Sequence, residues 1–227
     1  MRIEPGGMVD YEALARRHYR AGPPAVPDRV LRAIAEGEVV GVLVTARPTL
    51  NGTWRTSAWP GLAAGIGPGD RRSRARVLNA WVRTIARVVV APSHRGMGVA
   101  TLLVRAYLAK PATPLTEAVA VMGRYSGFFV SAGMRAWVLR PDEADRRLLA
   151  EVRARGLRPW ALLSPDARAR RAIRSMRPAL ERWARSGRGK SGRAGETLAD
   201  LAARAGARLA SHRAAFTAGR FGVEPTG

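Results

Sequence analysis

The stretch from Ala86 to Leu108, ARVVVAPSHRGMGVATLLVRAYL, constrains this chain more than any other. Ile85 to Val90 is a short β-branched run closed by Pro92, the pattern of a strand buried on both faces. From Val99 onward the apolar residues Val99, Leu102, Leu103 and Ala106 recur at helical spacing. The segment Arg95 to Ala100 therefore lies where the unpaired backbone N–H groups of a helix N-terminus face outward, and such groups attract an anion. Gly96 and Gly98 carry no Cβ to hold a bulky phosphate away from the backbone, and Ala100 lets the helix begin close to it. The pattern predicts a pyrophosphate site.

Two common phosphate loops share the order of strand, glycine turn and helix, and neither fits. There is no Gly-x-x-x-x-Gly-Lys-Ser/Thr, and Thr101 stands where a dinucleotide fingerprint needs its third glycine. A plain strand-to-helix connection, with glycine only for tightness, is the other reading of the local pattern. What does fit is Arg-x-x-Gly-x-Ala. Arg95, Gly98 and Ala100, preceded by Val88-Val89-Val90-Ala91-Pro92, resemble the acyl-coenzyme A signature of the GNAT superfamily of N-acyltransferases.

The following residues extend the resemblance. Thr116 to Val121 reads as another short strand, Tyr125 to Met134 as a short helix ended by Gly133, and Trp137 to Leu139 as a strand. Phe128-Phe129-Val130-Ser131-Ala132-Gly133-Met134 is similar to the Phe-Tyr-x-x-x-Gly-Phe helix end of that superfamily. The likeness covers about residues 9 to 140. With His18-Tyr19, the strand Val39 to Val44 and the block AVMGRYSGFFVSAGM, the chain most resembles a GNAT-like domain that also occurs fused to ABC-type ATPases, although it carries no ATPase signature.

The resemblance implies an α/β (α+β) fold with a mixed, centrally splayed sheet and helices on its faces. Acetyl-CoA or another acyl-CoA would lie in the splay. Val88, Val89 and Val90 would offer backbone bonds to the pantetheine, and Arg95, Gly96, Met97, Gly98, Val99, Ala100 and Thr101 would cradle the pyrophosphate. The acyl group would pass directly to an amine acceptor, whose identity the residues do not specify, with no covalent enzyme intermediate.

One departure bears on mechanism. Many GNAT enzymes place a tyrosine where this chain has Phe129, and phenylalanine has no proton to give the departing thiolate. Tyr125, one helical turn earlier, is the alternative acid, or else a tyrosine packed at a helix start. His18 is a candidate base, its ordinary pKa lying near neutrality, or a solvated histidine among Arg16, Arg17 and Arg20. The pair His18-Tyr19 also resembles the first helix of phage GNAT-like enzymes that modify adenine in DNA. Glu117, at the start of its strand, is a further base candidate or an exposed edge residue.

Composition sets the outer limits. The 227 residues suffice for one domain with a real core and an additional segment. With no cysteine, a disulfide framework, a thiolate metal site and a cysteine nucleophile are excluded, and the three scattered histidines, His18, His94 and His212, argue for no metal centre. No apolar run approaches a membrane span and the first 20 residues lack a signal-peptide core, so a cytoplasmic protein with no membrane partner is expected. The net charge is +22, from 39 Lys plus Arg against 17 Asp plus Glu. Such a field favours anionic partners, DNA or RNA included. Only Lys110 and Lys190 among those cations are lysine, so a genome-wide arginine bias is the competing account. Besides acyl transfer, a nucleic-acid-base-modifying GNAT-like enzyme and a non-catalytic nucleic-acid-binding module on the same fold both stay open.

Along the chain, helices are predicted at Asp10 to Ala21, with Tyr11, Leu14, Ala15 and His18 on one face, and at Asp28 to Glu36, capped by Asp28. Glu38 to Ala46 reads as a strand that Asn51-Gly52 turns into a hairpin with Thr53 to Ala58. A loop, Gly61 to Arg74, and a short helix, Arg74 to Trp81, precede the glycine segment. After Arg140 the character changes to arginine-rich helical patterns at Asp142 to Arg155, Pro165 to Arg185 and Glu196 to Ala218. Two domains are therefore expected: a GNAT-like acyl-CoA-binding domain, 1–140, and a basic α-helical extension, 141–227. Thr197 to Phe216 further resembles the start of a helix-turn-helix, with Thr197 as cap and Ala202 and Gly206 near its small-residue and turn positions.

Overall fold

Strands dominate the first half of the chain. The computed structural model describes residues 1–15, 24–67, 69–121, 123, 127–186, 195–211 and 213–221. Two compact units emerge, one of Met1–Leu139 with Arg213–Gly227, the other of Arg140–His212. In the first, β1 (Arg2–Gly6), β2 (Pro27–Ala35), β3 (Glu38–Ala46), β4 (Val82–Val90), β5 (Leu115–Ala120), β6 (Arg135–Val138) and β7 (Ala214–Ala218) form a seven-stranded sheet in the order β1-β2-β3-β4-β5-β7-β6. Neighbours run antiparallel except β4 and β5, which are parallel. A parallel pair needs a crossover, and α4 (Val99–Ala109) supplies it.

Each side of this sheet is covered. Val99, Leu103, Val104 and Tyr107 of α4 pack on Leu43, Ile85, Ala118 and Phe216 together with Phe129 of the short helix α5 (Phe128–Ser131). A Cβ at Gly41 would sit 2.9 Å from Val99 Cγ1, so α4 lies directly on β3 because that residue is glycine. A second cluster joins Tyr11 and Leu14 of α1 (Met8–Ala15) to Val42, Val44 and Val89. A third gathers Trp59 and Leu62, just after α2 (Trp54–Ala58), with Leu78 of α3 (Arg71–Trp81), Val82 and Leu115. Asp70 caps α3 by accepting from Ser73 N at 2.9 Å, which starts that helix three residues before Arg74.

Three expected elements are corrected. Asp28 to Glu36 is not a helix but most of β2. Val30 joins the α1 cluster and Ala33 the α4 cluster, so both faces of β2 are covered and its alternation disappears; Val30, Ala33 and Ile34 then stand at helical spacing within a strand. The tight connection lies at Glu36-Gly37, with φ of 52° and 83°, the conformation of a two-residue hairpin turn. The segment after Asn51-Gly52 is helical, not the second arm of a hairpin. At the other end, Glu196 to Ala218 is not one helix: α9 (Leu198–Ala210) stops and Ala214–Ala218 returns to the sheet as β7, between β5 and β6.

The second unit is helical. Its α6 (Glu143–Ala154), α7 (Ala167–Ser175), α8 (Arg177–Arg185) and α9 bury Leu148, Val152, Ile173, Met176, Leu180, Trp183 and Leu201 together. The predicted run from Pro165 to Arg185 breaks at Met176, where Pro178 starts α8. Asp145, 5 % exposed, accepts from Trp183 Nε1 at 2.9 Å and from both Nε and Nη2 of Arg208, so one carboxylate ties α6, α8 and α9. That bond, first, holds the Arg208 guanidinium above its ordinary pKa. Thr197 does cap α9, in a reciprocal capping box with Asp200. The helix-turn-helix is not formed. Gly206 lies inside a continuous helix, where a Cβ would meet Leu162 Cβ at 2.8 Å and the Pro159 carbonyl at 2.9 Å; it is small for packing, not for turning.

Candidate functional site

The segment from β4 to α4 makes the candidate cofactor cleft. Opposite β3, Val44 pairs with Arg87 and Thr45 with Ile85, leaving Ala86 as an extra residue, a β-bulge. A bulge bends its strand and sharpens the twist. On the other side, the last β4–β5 pair is Ile85 with Ala118, immediately before that bulge. Beyond it the two strands part, and the edge of β4 at Val88, Val89 and Val90 that faces β5 has no ladder partner among the described residues. Val88 and Val90 lean on the α4 cluster while Val89, 2 % exposed, anchors the opposite face.

After β4 the chain makes a short 3-10 turn, Pro92–His94, then reaches Gly96 and Gly98 with φ of 81° and 79°. Both need glycine for conformation, and nothing lies within 4 Å of a Cβ built on either one. The space above the two glycines is open. Gly98 offers no side-chain cap to α4, so the first-turn N–H groups of Val99, Ala100 and Thr101 are left to backbone geometry and solvent. Val99 is buried, Met97 is 62 % exposed, and Arg95 folds its Nε toward the Val90 carbonyl at 3.3 Å. Arg105 of α4 donates to the Ser131 carbonyl at 2.6 Å, tying the cradle helix to α5.

Phe129 is buried, stacked on Phe216 with centroids 4.6 Å apart and tilted against Phe128 at 4.3 Å. It serves the core. Glu117 is not an exposed edge residue: it is 1 % exposed. Its Oε1 accepts from Arg55 Nη2 at 2.6 Å and Thr84 Oγ1 at 2.8 Å, and its Oε2 from Arg55 Nε at 2.8 Å and Trp54 Nε1 at 3.0 Å. Arg55 in turn donates Nη1 to the Thr49 carbonyl at 2.7 Å. A carboxylate with both oxygens doubly engaged anchors α2 to the sheet, and it has little capacity left for a reacting amine. His18, Tyr19 and Tyr125 lie outside the described residues.

The sequence reading missed Arg55, Trp54 and Thr84. Only the adjacent Trp54-Arg55 in an otherwise polar stretch hinted at them. It also missed a pocket of about 710 Å³ on the first unit, lined by Trp59, Arg135, Trp137, Thr217, Arg220 and Phe221 among others. Among the described residues no cluster of three or more His, Asp or Glu could hold a metal ion, and no helix is long and apolar enough to cross a membrane.

Comparison with known proteins bears on the same segment. Residues 10–113 match the model of the acetyltransferase (GNAT) family, a span that runs from α1 through the cradle and α4. Among solved structures, that of an acetoin utilization protein from Exiguobacterium sibiricum is similar at 13% identity and a TM-score of 0.36. That likeness covers 61% of this chain and 63% of that one. No curated protein matches the chain.

Proposed function

We propose that the first unit is an acyl-CoA-dependent N-acyltransferase. One observation carries the reading: β4 and β5 part immediately after a bulge, beside an open, positive-φ glycine cradle at the start of α4, within the segment that matches the GNAT family. The residues fit an acyl-CoA. Val88 to Val90 offer unpaired strand edge for the amide-bearing pantetheine, and Arg95 to Thr101 offer backbone N–H groups for the pyrophosphate. Bound there, acetyl-CoA supplies an acyl group already activated as a thioester.

The chain's own task is then to hold the acceptor nitrogen in line and move protons. Phe129 can do neither, so we assign proton donation to Tyr125 and proton removal to His18 or its neighbour Tyr19. Glu117 we read as a positioning residue that fixes Trp54 and Arg55. The test of the cofactor is calorimetry and thermal unfolding with acetyl-CoA. At about 100 times its Kd it should stabilise the protein by roughly 2.7 kcal/mol. Gly98→Glu, which places a carboxylate in the cradle, should abolish the effect. No binding by acetyl-CoA or free CoA overturns the proposal. Tyr125→Phe and His18→Gln should each cost about 10²-fold in turnover at unchanged CoA affinity.

A second reading concerns polyanions and rests on α7. Arg168, Arg170, Arg171 and Arg174 are all exposed on this one helix, which holds no Asp or Glu. Nucleic-acid binding by the second unit would persist near physiological salt and fall steeply above it, and Arg170→Gln/Arg174→Gln would reduce the slope of that fall. Binding already lost at about 0.1 M salt would assign the charge to composition instead.

A further inference from the structure

The pocket over the far end of the sheet has a chemistry of its own. In register across β4, β5, β7 and β6, Thr84 pairs with Glu117, Glu117 with Thr217 and Thr217 with Arg135. Cross-strand partners point to the same face, so Arg135 shares a face with Glu117 and Thr84, one strand removed from the α2 anchor. Its guanidinium lies over the Trp137 ring at 4.3 Å, and the ring is pinned by its own Nε1–H to Thr217 Oγ1 at 2.8 Å. The opposite wall is equally fixed. Trp59 Nε1 donates to the Gly219 carbonyl at 3.1 Å, and Phe221 meets Trp81 edge to face at 5.2 Å. Gly219 has φ of 88° and its Cβ would fall 2.2 Å from the Pro114 carbonyl, so this wall depends on glycine.

The pocket is thus lined by aromatic rings and by two exposed arginines, Arg135 and Arg220. Among the described residues no Asp or Glu lines it. Two planar, permanently charged donors suit an oxyanion, which each can bind by a two-pronged contact.

We propose that this pocket binds an anionic group, a carboxylate or a phosphate, and that this group belongs to the acceptor; the second clause rests on the acyltransferase reading above. The acceptor is then an amine carrying an oxyanion, with an aromatic or aliphatic body lying against Trp137 and Phe221. A simple cationic amine would be repelled.

The experiment uses the full chain and two pairs of probes: L-phenylalanine against phenethylamine, and O-phosphoethanolamine against ethanolamine. Binding is measured by calorimetry, and acetyl transfer separately with acetyl-CoA. At least one anionic probe should bind at least tenfold more tightly than its uncharged-tail partner, and which one does so distinguishes carboxylate from phosphate. Arg135→Gln and Arg220→Gln should each weaken that probe by about tenfold or more. Arg153→Gln, an exposed arginine of the second unit, should leave it unchanged. The proposal is overturned if neither the carboxylate nor the phosphate probe binds, if the double variant Arg135→Gln/Arg220→Gln still binds normally, or if Arg153→Gln weakens binding as much. Binding without transfer would leave the anion site standing and overturn its assignment to the acceptor. Transfer to phenethylamine as fast as to L-phenylalanine, unaffected by Arg135→Gln, would overturn that assignment while the acyltransferase reading stands.

Discussion

Arg55→Met tests the anchor that holds α2 to the sheet. Arg55 is 6 % exposed and Glu117 1 %, and their bidentate contact measures 2.6 and 2.8 Å. Removing the guanidinium strands a buried carboxylate, a change that typically costs about 3–5 kcal/mol because one charge is left uncompensated. Thr84 and Trp54 still donate to it at 2.8 and 3.0 Å, which places the expected loss near the lower end, about 3 kcal/mol. Glu117→Gln removes the other charge while Arg55 keeps the Thr49 carbonyl at 2.7 Å, so it should cost less, about 2 kcal/mol. The double variant Arg55→Met/Glu117→Gln leaves no uncompensated charge. It should be more stable than the two single losses predict by about 1–3 kcal/mol. Because the chain has two compact units, a single melting temperature would mix them. Native-state hydrogen exchange at the amides of β4 and β5 reports the first unit alone. A loss below about 1 kcal/mol for Arg55→Met, or strict additivity in the double variant, would refute the view of this pair as a coupled buried anchor.

Three further outcomes follow from the same geometry. Gly219→Ala should destabilise the first unit by about 2 kcal/mol or more, since it combines backbone strain with a 2.2 Å clash against the Pro114 carbonyl; Gly96→Ala, with a similar φ but open space, should cost only about 1 kcal/mol, and urea titrations that rank them equally would contradict the packing argument. Burial raises the Tyr107 hydroxyl above its ordinary pKa of 10.0, so its neutral form stabilises the fold below that value and the contribution disappears as pH climbs through the raised one. Ultraviolet titration should show a late-ionising tyrosine, and Tyr107→Phe should remove that late step. The Ser73 backbone N–H holds the Asp70 carboxyl below its ordinary value of 3.8, so the cap favours α3 above that pH and is lost as pH falls through the lower, folded value; protection of the Ser73 and Arg74 amides, relative to their intrinsic exchange, should fall below about pH 3.8, and Asp70→Ala should remove that fall.

Local rules suffice for the features that local chemistry decides. The β-branched run ending at Pro92, the two glycines and the apolar spacing from Val99 specify strand, turn and helix by local chemistry, which is why that order was legible in the amino-acid sequence. The Thr197 cap was equally readable, because it needs only a backbone N–H three residues on. What required the tertiary structure were the features decided by distant partners. Residues 28–35 became a strand because β1 and β3 flank them and both faces are covered, a context their own periodicity hid. Residues 214–218 left a helical run because the sheet had a vacant place between β5 and β6 that only a strand could fill. Glu117 acquired its role from Arg55, 62 positions away, and Arg135 its pocket from Arg220 and Phe221. Charge pairs and pocket walls are made by chain segments that meet only after folding, so no local pattern records them, whereas a cradle of consecutive backbone N–H groups is written in consecutive residues.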